Sequence, residues 1–384
     1  MRILIALTYY RPHYSGLTIY TERLARALVD LGHQVTVLTS QFEKELPREE
    51  IVDGVKVIRL PVALHISKGV IMPSMPFVAW REIRKADIVN IHLPQLDAAP
   101  IALNARILGK PVLLTYHCDL LLPSGFINRL ANIASDVANH IASSSAAKIV
   151  TNTMDYAYNS GFLGRYIDKV QEIPPPATLV PASKAAIDAF RVKHSINPDD
   201  KVIGMVGRLA SEKGAEYLAR ALPIIQEKYP NARVVHVGQY EGVMGEEAYA
   251  QKLASLLKDL GDRWKFLGLI SDEELTAFFN ICEVVATPST NSTESFGIVQ
   301  VESMICGTPT VVSDMPGMRR PVQITGMGRT FSLRDVQDLA NAIIDILDAP
   351  ENYQGDLPWI KERFSPETIA KEYETLMLDI LGKA

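Results

Sequence analysis

Cysteine is scarce in this sequence. Three of its 384 residues are cysteines, namely Cys118, Cys282 and Cys306. They are far apart and odd in number, so they predict neither a disulfide framework nor a CxxC metal site. A reducing cytosol is the simplest compartment for such a chain, and we expect a cytoplasmic protein.

Long apolar runs and an excess of positive charge are also lacking. No stretch of about 18 apolar residues occurs, so no membrane-spanning helix is predicted. The N-terminus has no apolar core with a small-residue cleavage site, as a signal peptide would have. The net charge of −5 argues against a nucleic-acid-binding protein, since binding to phosphates requires a cationic surface. We expect a soluble protein that at most rests peripherally on the inner face of a membrane.

Several catalytic signatures are missing as well. No GxGxxG follows the first apolar run, and neither GxxxxGK[ST] nor GxSxG occurs, so the usual dinucleotide, P-loop and hydrolase sites are not predicted. The absence of D-x-D, HExxH and zinc-type His/Cys spacings gives no sign of a metal. We expect neither a metal nor a cofactor.

The chain is long enough for two domains and has a repeated α/β pattern. Short apolar runs alternate with segments of helical period, which predicts βαβ units with parallel sheets. The predicted strands are Ile3–Leu7, Val35–Thr39, Val55–Leu60, Ile88–His92, Val112–Tyr116, Ile149–Asn152, Val202–Gly207, Val234–Gly238, Lys265–Leu269, Val284–Thr287 and Thr310–Ser313.

Local signals mark the ends of three helices. One helix runs from about Leu17 to Leu31, and Gly32 follows as its C′ residue. Ser271 begins a capping box with Glu274. Ser365 caps a last helix, Glu367 to about Leu381, that has a proline at its first position.

Four prolines between residues 173 and 183 predict a hinge, because they fit neither a helix nor a central strand. We predict a first domain at 1–173 completed by a C-terminal helix at about 366–384, a hinge at 174–183, and a second domain at 184–365. Both should be Rossmann-like, doubly wound parallel-sheet domains with a cleft between them. Ligands of such sheets bind at the carboxyl ends of the strands.

The first candidate loop runs from Gly207 to Gly214, after a predicted strand. Arg208 leaves the strand and Lys213 precedes the next helix, so both cations can converge on one anion such as a diphosphate. The alternative is a pair of exposed charges that flank a turn.

A second candidate segment contains Glu294 and Glu302, and Gly307 fits as the C′ residue of a helix that should begin near Phe296 or Gly297. Glu294 would then precede this helix, and Glu302 would lie within it. If helical geometry held throughout, the carboxylates would lie about 12 Å apart along the axis and about 80° around it. That spacing suits two hydroxyl-bearing rings, and N–H groups around residues 295–298 could hold phosphate. The alternative is two solvated carboxylates, although Glu302 lies in a mostly apolar run.

Gly16 and His117 also follow predicted strands. Gly16, near a helix start, would let an anion approach the backbone, although a plain turn explains it equally. His117 could contact a ligand or be a structural histidine.

Two apolar segments, Val62–Trp80 and Leu120–Ile127, have three readings. They could pack in the core, line an acceptor groove, or face a membrane that holds a lipid-linked acceptor.

Together these loops resemble the large retaining glycosyltransferase family 4, which has the GT-B fold. Glu294 and Glu302 look like its E-x7-E motif, and Gly207-Arg208 with Lys213-Gly214 looks like its G-R…K-G element. The resemblance spans nearly the whole chain, and it rests on the joint order and spacing of these pieces.

The resemblance implies a metal-independent transferase with a nucleoside-diphosphate sugar as donor, most often a UDP-hexose, and a glycan or lipid-linked acceptor bound by the first domain. It implies four catalytic residues: His117, Arg208, Lys213 and Glu294. It implies donor binding by Gly16, Gly207, Arg208, Lys213, Gly268, Leu269, Ile270, Glu294, Ser295, Phe296, Gly297, Ile298 and Glu302. In particular, Glu302 would bind the ribose, Glu294 the sugar, and Leu269 or Ile270 would lie near the base.

Two other classes of function remain open. An NAD(P)-linked Rossmann enzyme fits the α/β pattern, although the first strand lacks the dinucleotide fingerprint. A non-catalytic subunit that keeps the GT-B fold is the other, although the cations and carboxylates are all present.

Overall fold

The structure is a computed structural model that describes residues 1–66, 69–120, 126–243 and 245–383. Contacts divide the chain into a first unit, Met1–Pro176 with Phe364–Ala384, and a second unit, Ala177–Arg363. The hinge at 174–183 and the assignment of acceptor and donor to the two domains stay predictions.

The strands are β1 Arg2–Ala6, β2 Gln34–Gln41, β3 Glu49–Val52, β4 Val55–Pro61, β5 Leu64–Ile66, β6 Gly69–Ile71, β7 Ile88–Leu93, β8 Val112–Tyr116, β9 Lys148–Thr151, β10 Val170–Glu172, β11 Lys201–Val206, β12 Ala232–Val237, β13 Trp264–Gly268, β14 Val284–Thr287, β15 Thr310–Ser313 and β16 Gly328–Phe331. The helices are α1 Gly16–Asp30, α2 Met75–Ile83, α3 Ala98–Ile107, α4 Phe126–Ser145, α5 Met154–Asn159, α6 Lys184–Lys193, α7 Ala215–Lys228, α8 Glu247–Leu260, α9 Asp272–Ile281, α10 Ile298–Ile305, α11 Arg320–Thr325, α12 Val336–Asp348, α13 Leu357–Arg363 and α14 Pro366–Ile380.

Each unit is built on one large sheet. In the first unit the strand order is β10-β9-β8-β7-β1-β2-β4-β3, and every neighbouring pair except β3 with β4 is parallel. The second unit has the order β13-β12-β11-β14-β15-β16, which is parallel throughout. Strands buried on both faces explain the nearly continuous apolar runs of the sequence.

The predicted α/β architecture is confirmed. Every predicted strand is present within two residues at either end, and the predicted caps at Ser271 and Ser365 are formed. Helix α1 ends one residue before Leu31, and Gly32 adopts φ +86° as expected for a C′ residue.

Five strands were not predicted, namely β3, β5, β6, β10 and β16. All have only three or four residues, which is too few for a clear apolar period. Strand β3 carried a signal, because it pairs with β4 through the two-residue turn Asp53-Gly54, both at positive φ. Such turns are typical of tight hairpins.

Both faces of the second sheet are covered, as in a doubly wound fold. On one face Ile203 and Val234 pack with α7, α8 and α12. On the other face their neighbours Val202 and Val235 pack with α6 and α9. Alternate residues of each strand therefore serve two separate cores.

The first sheet is covered in the same way. Helices α2, α3, α4 and α5 pack on one face with Leu114 and Tyr116 of β8. The residue between them, Thr115, bonds Tyr373 of α14 at 3.0 Å, and Tyr373 bonds Tyr20 of α1 at 2.7 Å. Helices α1 and α14 therefore cover the opposite face.

The apolar segment Val62–Trp80 forms the β5–β6 hairpin and the start of α2. Met72 and Met75 are buried, whereas Leu64 and Phe77 are 55% and 78% exposed. Core packing thus accounts for part of this segment. The other apolar segment, Leu120–Ile127, lies mostly outside the described residues.

Among the described residues, no helix combines the length and the hydropathy that crossing a bilayer requires.

Candidate active site

The loop after β11 is shaped by two glycines. A Cβ at Gly207 would lie 3.6 Å from the aliphatic part of Lys213, so this side chain runs past the end of the strand. Gly214 has φ +68°, and a Cβ there would overlap the carbonyl oxygen of Pro288. A left-handed residue this close to another backbone has to be glycine. The loop 207–214 therefore packs tightly against the segment after β14.

Hydrogen bonds join these two segments. The Thr290 amide donates to the Glu212 carbonyl (2.9 Å), and the Thr290 hydroxyl donates to the Ser211 carbonyl (3.2 Å). From the end of β15, the Ser313 hydroxyl donates to the Ser289 carbonyl (2.7 Å). The exits of three strands are thus tied into one assembly.

Lys213 and Glu294 meet within this assembly. The ammonium contacts the carboxylate, and the side chains are only 25% and 21% exposed. Arg208 is 48% exposed and contacts Glu212 at 3.1 Å. An ammonium has three donors and a guanidinium five, so both cations can bind a further anion while these contacts persist.

Glu302 lies inside α10, whereas Glu294 lies outside it. The helix begins at Ile298, after Gly297 in a left-handed conformation with φ +72°. Glu294 thus precedes the helix and Glu302 lies within it, as predicted. The separation of about 12 Å and about 80° required helical geometry from Glu294 onward, and that geometry begins at Ile298. Glu302 is 5% exposed, and Gly307 follows the helix at φ +86° as expected.

The turn that leads into α10 is buried and is held by the side chain of Gln300. Residues 295–297 are buried, and Ile298 is half-buried. The Gln300 side-chain amide donates to the carbonyls of Phe296 and Met318, the latter at 3.0 Å. These bonds fix the backbone on which the predicted phosphate contacts depend.

The exits of β12 and β13 lie beside the same loop. The Gly207 amide donates to the Val237 carbonyl (2.9 Å), and the Gly238 amide donates to the Gly268 carbonyl (2.8 Å). Leu269, which follows, is 75% exposed. Ile270 is half-buried against the core that contains α6 and α9.

Gly16 and His117 belong to the first unit. Gly16 begins α1, and the capping residue Ser15 accepts a hydrogen bond from the Thr18 amide. His117 follows β8, is 8% exposed, and its Nε2 lies 2.9 Å from Nδ1 of His92. Burial lowers the pKa of His117 to about 3, so its ring is neutral near pH 7.

Two family models match most of the chain. The model of glycosyl transferases group 1 matches residues 186–355, and that of the glycosyl transferase 4-like domain matches residues 15–176. The chain belongs to glycosyltransferase family 4.

Individual relatives agree with this assignment. An uncharacterized glycosyltransferase from Methanocaldococcus jannaschii is 28% identical over 333 residues, which cover 83% of this chain and 82% of the relative. The 2-deoxystreptamine glucosyltransferase of Streptomyces kanamyceticus is 26% identical over 373 residues, covering 89% and 93%. The solved structure of HepE from Anabaena in complex with UDP-glucose has a TM-score of 0.77 at 22% identity and covers 98% of this chain and 99% of HepE. This likeness shows the GT-B fold.

In this glycosyltransferase the second unit brings Gly207, Arg208, Lys213 and Glu294 together. Glu302 lies on the helix that follows, and Gly16 and His117 lie in the first unit. The roles of these residues in donor binding and catalysis stay predictions. Within residues 1–66, 69–120, 126–243 and 245–383, no group of three His, Cys, Asp or Glu side chains is arranged to hold a metal ion.

The sequence did not point to three further residues of the candidate site. Glu212 and Thr290 tie the two loops together, and His92 contacts His117. His92 could have been found, because it is the residue before the last of β7, His117 directly follows β8, and these strands are neighbours. Glu212 and Thr290 depend on loop conformation, which no local pattern predicts.

Proposed function

We propose that this glycosyltransferase transfers a hexose with retention of configuration, without a metal, from a UDP-hexose to a carbohydrate or a lipid-linked glycan. The observation that carries the proposal is the contact between Lys213 and Glu294, formed by two loops whose backbones are joined. This contact supports the proposal, in which Lys213 binds the diphosphate and Glu294 binds the sugar hydroxyls.

The electrostatics of the site suit a departing diphosphate. As the glycosyl bond breaks, negative charge grows on the leaving group, and the cations at Arg208 and Lys213 stabilise it more in the transition state than in the ground state. The start of α10 adds the partial positive charge of a helix N-terminus. Binding and rate therefore depend on the same groups.

Two further residues of the second unit complete the proposed donor contacts. Buried Glu302 would bind the ribose hydroxyls, and exposed Leu269 offers an apolar face to the base. A glucosyl donor with uridine is the first candidate, because HepE was solved with UDP-glucose and the Streptomyces relative is named a glucosyltransferase.

The test compares two ion pairs that join the same two strands. Lys213→Ala and Glu294→Ala, beyond the carboxyl ends of β11 and β14, should each lower kcat/KM by about 100-fold or more. The control pair, Lys201 and Glu283, lies 3.2 Å apart at the amino ends of these strands. Its alanine variants should keep activity within about twofold, since exposed ion pairs contribute little.

A thermal-shift series separates the proposed donor from other ligands. UDP and UDP-glucose should raise Tm in the wild type and less in Lys213→Ala. Stabilisation by a nicotinamide dinucleotide, with none by any nucleoside diphosphate, would favour the NAD(P)-linked alternative. Donor binding without hydrolysis or transfer to any acceptor would favour the non-catalytic subunit.

The outer face of α2, α3 and α4 favours a lipid-linked acceptor over a soluble one. It exposes large apolar side chains on all three neighbouring helices: Phe77, Trp80, Leu103, Ile107, Ile133, Val137 and Ile141. Such clustering on a soluble domain marks an interaction surface. We call this surface the apolar helix face.

Charge around the apolar helix face favours an anionic bilayer as its partner. Exposed cations on these helices and the turns that end them are Arg81, Arg84, Lys85, Arg106 and Arg129. Against these five cations, the described side chains of the three helices include two acids, exposed Asp136 and buried Glu82, which pairs with Arg81 and Lys85. This local excess of positive charge contrasts with a chain whose net charge is −5, and it complements anionic headgroups.

A further inference from the structure

A buried histidine lies directly beneath the loop that carries Arg208 and Lys213. His236 is on β12, between β11 and β13, and is 0% exposed. Its ring packs against Phe266, with centroids 5.1 Å apart, and against the edge of Trp264. A polar ring in such surroundings is costly unless it is hydrogen-bonded.

The hydrogen bond of His236 goes to the first residue of the loop. Its Nε2 lies 2.9 Å from the carbonyl oxygen of Gly207, and a carbonyl only accepts, so Nε2 carries the hydrogen and donates. Among the described residues, the other ring nitrogen, Nδ1, is buried without a hydrogen-bond partner. Burial lowers the pKa of His236 to about 4, which keeps the ring neutral at physiological pH.

The Gly207 carbonyl is confined from a second side. A Cβ at Gly238 would overlap this oxygen, so the backbone after β12 lies against it. The carbonyl of Gly207 and the amide of Arg208 share one rigid peptide plane. Fixing the oxygen therefore fixes the direction in which the chain leaves β11.

We infer that His236 is a positioning residue for donor binding, which orients the Gly207–Arg208 peptide and thereby the two cations of the loop. The inference rests on the proposed function, since it supposes that the loop binds the donor diphosphate. His236 itself touches the backbone and not the donor. Without its N–H, the carbonyl loses this donor and is restrained from one side fewer, so the orientation of the peptide is less well defined.

Three variants test this role. His236→Phe keeps a planar ring but removes the donor, and it should raise the Kd for UDP and the KM for the sugar nucleotide about tenfold, equivalent to about 1.4 kcal/mol. His236→Gln places an amide N–H near the position of Nε2 and should restore most of the affinity. Val234→Ala, on the same face of β12 and equally buried, should lower Tm while leaving Kd and KM unchanged.

The outcomes separate the inference from the function on which it rests. If the wild type binds no nucleoside diphosphate, the proposed function fails. If the wild type binds UDP and His236→Phe binds it as tightly, or if Val234→Ala weakens binding equally, the positioning role is wrong. Should the phenylalanine variant not fold, His236→Asn serves in its place, because its shorter amide cannot reach Gly207.

Discussion

In the first unit, His92 of β7 lies next to His117, which follows the neighbouring strand β8, and both rings are buried. Thr21, at 3.0 Å, and Asn90, at 3.2 Å, are the uncharged partners of His92, and the ring of Tyr20 meets His117 edge-on at 4.8 Å. The pKa of His92 is held well below its usual value by burial and by His117. Both rings therefore fold in the neutral form.

These histidines predict a loss of stability in acid. Between about pH 6.5 and pH 3, His117 is protonated in the unfolded chain but not in the folded chain. The free energy of unfolding therefore falls as the pH falls through this window. His117 should cost roughly 2 kcal/mol at pH 5 relative to pH 7, and His92 should lower the stability in the same direction. Urea unfolding at both pH values should show a smaller difference for His117→Gln than for the wild type.

The control is His65, which is exposed on β5. His65→Gln should keep the wild-type dependence on pH. Identical dependence in all three proteins would mean that the buried rings do not govern acid stability.

At the scale of elements, the left-handed Gly214 determines how the loop after β11 meets the segment after β14. Gly214→Ala would combine an unfavourable φ with overlap of the Pro288 carbonyl. We expect Tm to fall and the affinity for UDP to drop at least tenfold, because the contact of Lys213 with Glu294 depends on this packing.

Gly326 is the matched control for this substitution. It lies in the same unit at φ +69°, and a Cβ there would meet nothing within 4 Å. Gly326→Ala should lower the free energy of unfolding by about 1 kcal/mol, which is the cost of the left-handed conformation alone. Tm should fall accordingly, and UDP binding should stay intact. A drop in UDP affinity as large as that of Gly214→Ala would show that packing against Pro288 is irrelevant.

The two sheets could be predicted at this scale because parallel strands buried on both faces are apolar throughout. Strand β1 is one such run, and so is β8. Strand β3 was not predicted, because it lies at the edge of the sheet beside β4 and its EEIV sequence is half polar. Its Asp53-Gly54 turn was the available signal.

The sequence indicated candidate residues for the site, but it did not predict how the loops that carry them are arranged. Strand-end positions indicated Arg208, Lys213 and Glu294. The helix start near Gly297 was predicted, but the left-handed conformation of Gly297 that precedes α10 was not. Backbone bonds between loops, such as Thr290 to Glu212, depend on tertiary packing and leave no period in the sequence.

At the scale of the whole molecule, the apolar helix face predicts binding to anionic membranes. The protein should sediment with vesicles that contain phosphatidylglycerol and not with pure phosphatidylcholine, and salt should weaken binding. The double variant Phe77→Asp with Val137→Asp should abolish it, because charges replace apolar groups that enter the interface.

Val192→Asp provides the comparison, since Val192 is 80% exposed on α6 of the second unit. This variant should bind vesicles like the wild type. If the protein forms a dimer that only the double variant separates, the apolar helix face joins two copies of the chain, and the membrane proposal is wrong.

The position of α14 in the sequence affects the order in which the two units can complete their folding during translation. It supplies Tyr373 to the buried hydrogen bonds with Tyr20 and Thr115, although some 250 residues of chain separate it from β8. On the ribosome, the second unit is translated completely before this helix emerges. The first unit can therefore complete its core only after the second unit has been translated.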